Sequence, residues 1–494
     1  MARRKSLPEL PIESPIPFHT GSNGEFFPRP KSDRDARAEA LFRRVSEEKA
    51  KRLGVSRRQF VESACGTATA LWVINAVYAC GGDEETASTS GPYDVDAGTT
   101  EDSGLACDKL SSEDFVFDVQ THHVNPAGAW RETAPGWSAF FASLPQGACG
   151  ERDAVDCFDS DHYLREMFVN SDTHVAVLSA VPADPGANPL TIEEARATRD
   201  LVDKLSDSPR LVIHGLVLPE RGASELDAMQ ALAEEMKIAA WKVYTPFNSE
   251  TGGGWRLDDE AIGIPFLEKV QSLGVKLVCA HKGLPLSGFD PAFAAPDDIG
   301  VVAKAFPDLS FLVYHSAFDT AVTEGPYDPA GTGIDRLIKT VLDNEIGPAG
   351  NVYAELGSTW RFLMTQPDQA QHAIGKLLKH LGEDRIVWGT DSIWYGSPQD
   401  QIDAFRTFQI SAELREAHGY PEITPAIRAK ILGLNAAAAY GIDPNAVRCK
   451  ITEDDLAKAK MAARDRGQLR MHDYGPRSRR EMLGFLRSRG GMPG

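Results

Sequence analysis

Positive charge is in deficit in this chain: 52 Lys and Arg stand against 71 Asp and Glu among 494 residues, a net charge of −19. That balance argues against nucleic acid as a partner, because a polyphosphate backbone calls for a basic face. Cysteine is scarce, seven in all, and none has the short paired spacing of a zinc finger. Long apolar runs are missing too. The best of them, ATALWVINAVYAC (68–80), is interrupted by Asn75 and is too short to suggest a permanent transmembrane helix. No GxGxxG follows the first strand-like segment, and no glycine run leads into Lys-Ser or Lys-Thr, which removes the dinucleotide and P-loop fingerprints. No repeat of solenoid period is visible.

What is present is unevenly placed. Residues 1–58 are rich in Arg and Lys, 83–102 are acidic and small, and 464–490 are basic again. SRRQFVESACG (56–66) sets Arg57, Arg58 and Phe60 directly before the apolar stretch. It resembles a twin-arginine export signal, with an unusually long region ahead of it. Val77-Tyr78-Ala79-Cys80 resembles a lipobox, which implies a lipid-modified Cys80 and a membrane tether; ordinary signal cleavage nearby competes with that reading. The following GGDEETASTSGPYDVDAGTTEDSG (81–104) has almost no large apolar residue with which to build a core. The first 106 residues are therefore expected to be targeting and tether rather than fold. The boundaries are a signal region at 1–82 with a long basic start, then a flexible acidic linker at 83–112.

This reading makes the twin-arginine machinery a partner and places the protein in the periplasm or at the cell surface, where disulfides are permitted. Cys149 and Cys157 bracket the polar ERDAVD (151–156) and are the pair expected to join. Cys107 and Cys449 flank the folded region and offer a second pairing across its ends. Cys279 lies in a strand and reads as apolar filler.

From 113 to 443 short β-branched runs alternate with segments of helical period. The strand-like runs are 115–122, 174–181, 210–218, 239–245, 275–281, 309–315, 351–356 and 385–390. Eight such units predict an α/β fold of the (β/α)8 TIM-barrel type, with a doubly wound open sheet as the rival. A long insertion, 124–173, follows strand one and is placed to cap a pocket. A basic helical extension occupies 444–494.

Polar residues then fall at matching depths. Gln120 and His122 end strand one in FVFDVQTHH, His281 ends strand five, His315 ends strand six, and Asp391 follows strand eight in RIVWGTDSIWYGSP. Strand ends of a barrel converge on one mouth, and histidine with carboxylate is a suitable donor set for Zn²⁺ or a similar ion. On these motifs and the late LGLNAAAAYGI, residues 115–443 resemble the amidohydrolase superfamily. Within it the likeness is to the amidohydrolase-related group that includes aminocarboxymuconate-semialdehyde decarboxylase.

The resemblance implies one divalent ion, Zn²⁺ first with Mn²⁺ or Fe²⁺ as alternatives, held by His122, His281 and Asp391, with Gln120 at the first ligand position. It also implies that Asp391 and His315 are catalytic, Asp391 as base and His315 orienting water or an oxyanion. Gln120 stands where the group's Asp-x-His-x-His pattern has histidine, so the site reads as altered rather than dead. His123 cannot replace it, because alternate residues of a strand face opposite ways.

Lys242, Glu355, Arg361 and Trp255 of the glycine-rich SETGGGWR loop (249–256) are the substrate-binding candidates. Lys242 also matches, less well, a metal-bridging carboxylated lysine, whereas His214 reads as a packed core histidine. Three functions stay open. The first is a metal-dependent hydrolase of a C–O or C–N bond (lactone, ester or amide) in a small molecule, working through metal-activated water. The others are a non-hydrolytic decarboxylase or hydratase of a small carboxylic acid, and an inactive, metal-poor binding protein. Barrels of this group often pair, so a homodimer is among the assemblies the resemblance allows.

Overall fold

The computed structural model describes residues 14–22, 27–78, 91–144, 149, 151–206, 208–248, 252–284, 289–451, 454–465 and 478–488. Cys80, residues 249–251 of the SETGGGWR loop and the stretch 466–477 lie outside the described residues.

Strands form at short runs rich in apolar and β-branched residues, and successive residues along them are buried, the pattern of a parallel sheet covered on both faces. The eight are β1 (Phe117–Thr121), β2 (Val175–Leu178), β3 (Leu211–Leu216), β4 (Ala240–Tyr244), β5 (Leu277–His281), β6 (Ser310–Tyr314), β7 (Val352–Glu355) and β8 (Ile386–Val387). They pair in chain order, all parallel. Val119 N–H donates to Trp388 O at 3.0 Å, and Thr121 bridges to Ser392, which closes β8 back onto β1. The expected (β/α)8 barrel is present.

Inside it Phe117, Val177, Cys279, Leu312 and Tyr314 belong to one packed cluster, joined by Ala436 and Ala437 of the helix Asn435–Tyr440. Tyr314 donates across the interior to Val119 O at 2.6 Å. His214 is the packed histidine expected, bonded to Ser179 Oγ at 3.1 Å and Tyr440 Oη at 2.9 Å.

The amino-terminal residues are helical over much of their length. Residues read as signal and tether form α1 (Asp33–Leu53), α2 (Arg57–Val61) and α3 (Ala64–Tyr78), and α3 packs against the helices Pro367–His380 and Gln399–Thr407. Leu71, Val73 and Ile74 are fully buried there. The stretch read as too short for a permanent transmembrane helix is apolar enough to seat a helix on a protein surface, a demand that periodicity in isolation does not reveal. Arg57 donates to Ser46 Oγ at 3.1 Å and Arg58 pairs with Glu62 at 3.0 Å, so the twin arginines are held within this helical layer.

From residue 91 onward the stretch expected as linker packs on the barrel. Tyr93 and Val95 are buried, and α4 (Ser103–Leu110) follows, capped by Asp102. Two apolar anchors suffice because the backbone pairs with the barrel: Asp94 N–H donates to Thr407 O and Gln409 N–H to Pro92 O. Cys107 is an exposed free thiol, and the side chain of Cys449, expected as its partner, lies outside the described residues. Cys149 and Cys157 are disulfide-bonded. The carboxy-terminal extension packs on the barrel through Arg210–Asp454 and Lys460–Asp172 ion pairs. Among the described residues no helix is long and apolar enough to cross a membrane.

One carboxylate knits the amino-terminal layer. Asp35 accepts from both Arg29 Nη atoms and from the Tyr78 hydroxyl, and completes a capping box with Ser32. Burial would raise its pKa, but these bonds outweigh burial and bring it from 3.8 to about 2. The folded value lies below the unfolded one, so the stabilisation is present above about pH 4 and is lost as pH falls toward 2. Asp35→Asn is expected to lower the melting temperature at neutral pH, with the difference from wild type shrinking through that window. A difference independent of pH would contradict this.

Candidate metal centre at the barrel mouth

The β1–β2 pairing shifts register between Asp118 and Thr121, an irregularity of the kind that re-aims side chains near active sites. Val119 packs with the interior cluster, yet Gln120 Nε2 reaches Asp391 Oδ1 at 3.2 Å and lies 3.4 Å from His315 Nε2. His122 Nδ1 donates to Ser179 O at 2.7 Å, leaving Nε2 3.2 Å from Asp391 Oδ1. His315 Nδ1 donates to Gly357 O at 2.7 Å, and Ser358 Oγ donates to Asp391 Oδ2 at 2.7 Å. His281 closes the group, its ring 4.6 Å from that of His315. All five are at most 2% exposed. His315 and Asp391 both take φ near +60°, at 59° and 62°, a costly backbone for non-glycine residues and one that concentrates at functional sites.

The donors suit a divalent ion. Both ring nitrogens of His281 and Oε1 of Gln120 are buried with no hydrogen-bond partner among the described residues, which is costly unless something else satisfies them. Burial holds His281 well below the ordinary histidine pKa and brings His315 to about 4, so both imidazoles are neutral, the form that ligates. Asp391 is pushed up by burial but pulled down further by His122 and Ser358, and stays anionic. The set stands wider than one ion's shell. Among the described residues, no three of these His and Asp side chains bring ligand atoms within 4.8 Å of one another.

Two buried acids position the ligands. Asp118 accepts from Gln120 N–H and Thr390 N–H, each at 3.1 Å, and from the Thr390 hydroxyl, tying β1 to the segment that carries Asp391. Burial raises its pKa to about 7. Glu355 accepts from His315 N–H at 2.9 Å and from Gly357 N–H, and burial raises its pKa to about 8. Asp118 was visible in FDVQTHH as a carboxylate two residues before Gln120, but nothing in the sequence marked its partner Thr390.

Aromatic rings wall the group. Trp394 stacks on His122 at 5.2 Å, while Tyr244 and Phe289 lie 5.1 and 5.0 Å from His281. From the insertion, Phe141 and Phe158 reach Trp394 at 5.6 and 5.5 Å, so the insertion covers the site through that ring.

The other candidates are engaged by groups of the protein itself. Glu355 is engaged by the backbone amides of His315 and Gly357. Arg361 is buried, ion-paired with Asp400, and lies over Tyr395 at 5.1 Å, so a substrate carboxylate is not its counter-ion here. Trp255 packs on Phe266 at 6.3 Å. Lys242 is fully buried deeper in the barrel, its Nζ 3.4 Å from the centre of the Tyr314 ring. His123 faces outward as expected, bonded to Thr198 Oγ1 at 2.9 Å.

No curated protein matches the chain in sequence. Among solved structures it is similar to an uncharacterised TIM-barrel protein from Bordetella bronchiseptica, at 16% identity and TM-score 0.44, covering 66% of this chain and 99% of that one. It is also similar to 2,6-dihydroxybenzoate decarboxylase from Rhizobium, at 17% identity and TM-score 0.40, covering 67% and 99%. A third is dihydroxybenzoic acid decarboxylase from Polaromonas sp. JS666 with bound manganese and 2-nitroresorcinol, at 15% identity and TM-score 0.40, covering 66% and 97%. At these identities the likeness is one of fold. The amidohydrolase family profile matches residues 175–442, beginning at β2 and so leaving out Gln120 and His122. That match spans more than half of the chain, and the protein belongs to the amidohydrolase family.

Proposed function

We propose that this protein is a metal-dependent, non-hydrolytic decarboxylase of a small hydroxylated aromatic carboxylic acid. The observation that supports this most is the ring of Trp394, Tyr244 and Phe289 around buried histidines and one buried carboxylate. Such walls accept a planar ring and keep water from its carboxylate. Loss of CO2 moves charge from a compact carboxylate into an extended ring, and a site of low polarity favours that redistribution over a localised oxyanion. The similar decarboxylase folds named above agree in kind, but the proposal rests on the cage.

A divalent ion bound by His122, His281, Asp391 and Gln120 supplies a Lewis acid for the substrate oxygens. Turning the Gln120 amide over would offer its oxygen, a harder donor than imidazole, and shift the preference toward Mn²⁺. Asp391, being anionic, first receives the proton of a substrate hydroxyl on its carboxylate oxygen. It returns that proton to the ring carbon as the C–C bond breaks and its electron pair stays on the ring. His315 Nε2, with Nδ1 fixed on Gly357 O, is the second proton-holding atom.

The test is a panel of hydroxybenzoates offered to Mn²⁺-loaded full-length chain in D2O. Stoichiometric CO2 and one deuterium on the vacated carbon are expected, and Asp391→Asn should lower the rate by about 10²–10⁴-fold. A second reading, hydrolysis of a lactone or ester, is favoured by the anionic Asp391, which suits a base for water. Solvent ¹⁸O in the product without CO2 would select it and reject the first.

A further inference from the structure

The insertion that covers the site carries a second group of donors. Cys149 Sγ, in its disulfide with Cys157, lies 3.6 Å from His162 Nε2. Glu151 Oε1 lies 3.6 Å from the same nitrogen, and the three donor atoms fall within 4.8 Å of one another. His162 is 7% exposed, and its Nδ1 stands 2.9 Å from Asp159 Oδ1. The carboxylate accepts from Nδ1–H, which turns Nε2 toward the sulfur and Glu151. Asp159 thus holds this imidazole as a carboxylate holds a zinc-ligating histidine.

A disulfide sulfur is a poor ligand; the thiolate is the strong one. A dithiol reductant converts one form to the other. Its first thiolate attacks Cys149, the less buried sulfur, and Cys157 leaves as thiolate. The second thiol closes the reductant's own disulfide, so two electrons and two protons pass to Cys149 and Cys157. Binding of Zn²⁺ then releases those two protons. We propose that the reduced insertion binds one thiophilic divalent cation through Cys149, Cys157, His162 Nε2 and Glu151, making disulfide and metal alternative closures of one loop. Cys157 precedes Phe158, whose ring contacts Trp394 over His122, so either closure keeps the cover on the barrel mouth.

The experiment uses the full chain in two forms, oxidised, and reduced with a dithiol then desalted without oxygen. Each is titrated with Co²⁺ and then Zn²⁺. The reduced form is expected to take up one equivalent more than the oxidised form, with a near-ultraviolet sulfur-to-cobalt absorption that Zn²⁺ bleaches. His162→Gln should weaken this uptake by at least about 10-fold. The double variant Cys149→Ser, Cys157→Ser should lose the absorption, with circular dichroism confirming its fold. Equal uptake by both forms, unchanged affinity in His162→Gln, or an absorption kept by the double variant would overturn the proposal.

Discussion

A chain beginning at residue 107 is expected to be recovered aggregated or without a cooperative melt, whereas the full chain melts cooperatively. The truncation strips α1–α3 and the first half of α4, and so uncovers the faces of Pro367–His380 and Gln399–Thr407 on which α3 rests. It also removes Tyr93, whose ring packs on Phe408 at 6.0 Å and whose hydroxyl donates to Met364 O. Leu71, Val73, Ile74, Phe60 and Tyr93 are all at most 2% exposed. Burying a large apolar side chain contributes about 1.5–3 kcal/mol. Five such losses are comparable with the ~5–15 kcal/mol net stability of a domain.

A removable export signal would require the barrel to persist without this layer, so the same experiment bears on the SRRQF motif. A soluble 107–494 chain with a sharp melt and native circular dichroism would restore the signal reading and contradict the integral one.

Gly389→Ala is expected to destabilise the barrel by several kcal/mol and to abolish metal uptake, beyond the usual cost of overpacking. A Cβ on Gly389 would stand 1.7 Å from Glu355 Oε1 and 3.3 Å from Gln120 Cβ. Glu355 cannot swing aside cheaply, because the His315 and Gly357 amides hold its two oxygens. Forcing it out would leave those amides unpaired and shift both His315 and Gln120. Gly347→Ala, with nothing within 4 Å of its added Cβ, is the control and should change little. If Gly389→Ala melted and bound metal like wild type, the proposed role of Glu355 as the positioner of His315 would fail.

The barrel was legible because each strand repeats one demand, burial on both faces, and short β-branched runs announce it. The strand-end donors were legible because a barrel brings the C-terminal ends of distant strands to one mouth, whatever separates them in sequence. The amino-terminal layer was not. An apolar helix that seats on protein and one that precedes a cleavage site have the same composition, and the difference lies in the partner surface of 367–407.

The positioning acids were hidden for a related reason. Glu355 and Asp118 act through backbone amides of His315, Gly357, Gln120 and Thr390, and a backbone donor leaves no mark in the sequence. Arg361 looked like a carboxylate receptor until Asp400, thirty-nine residues on, supplied its counter-ion.

That Gln120, His122, His281 and Asp391 hold one divalent ion is what the proposed chemistry requires. Its most direct test is metal content by mass spectrometry on the oxidised full-length chain, purified without chelator and offered Mn²⁺ and Zn²⁺. Wild type is expected to carry about one ion per chain, and Asp391→Asn to lose it while keeping its melt. A wild type that carries none, beside a Gln120→His variant that fills, would contradict the account and leave a barrel disabled at its first ligand position.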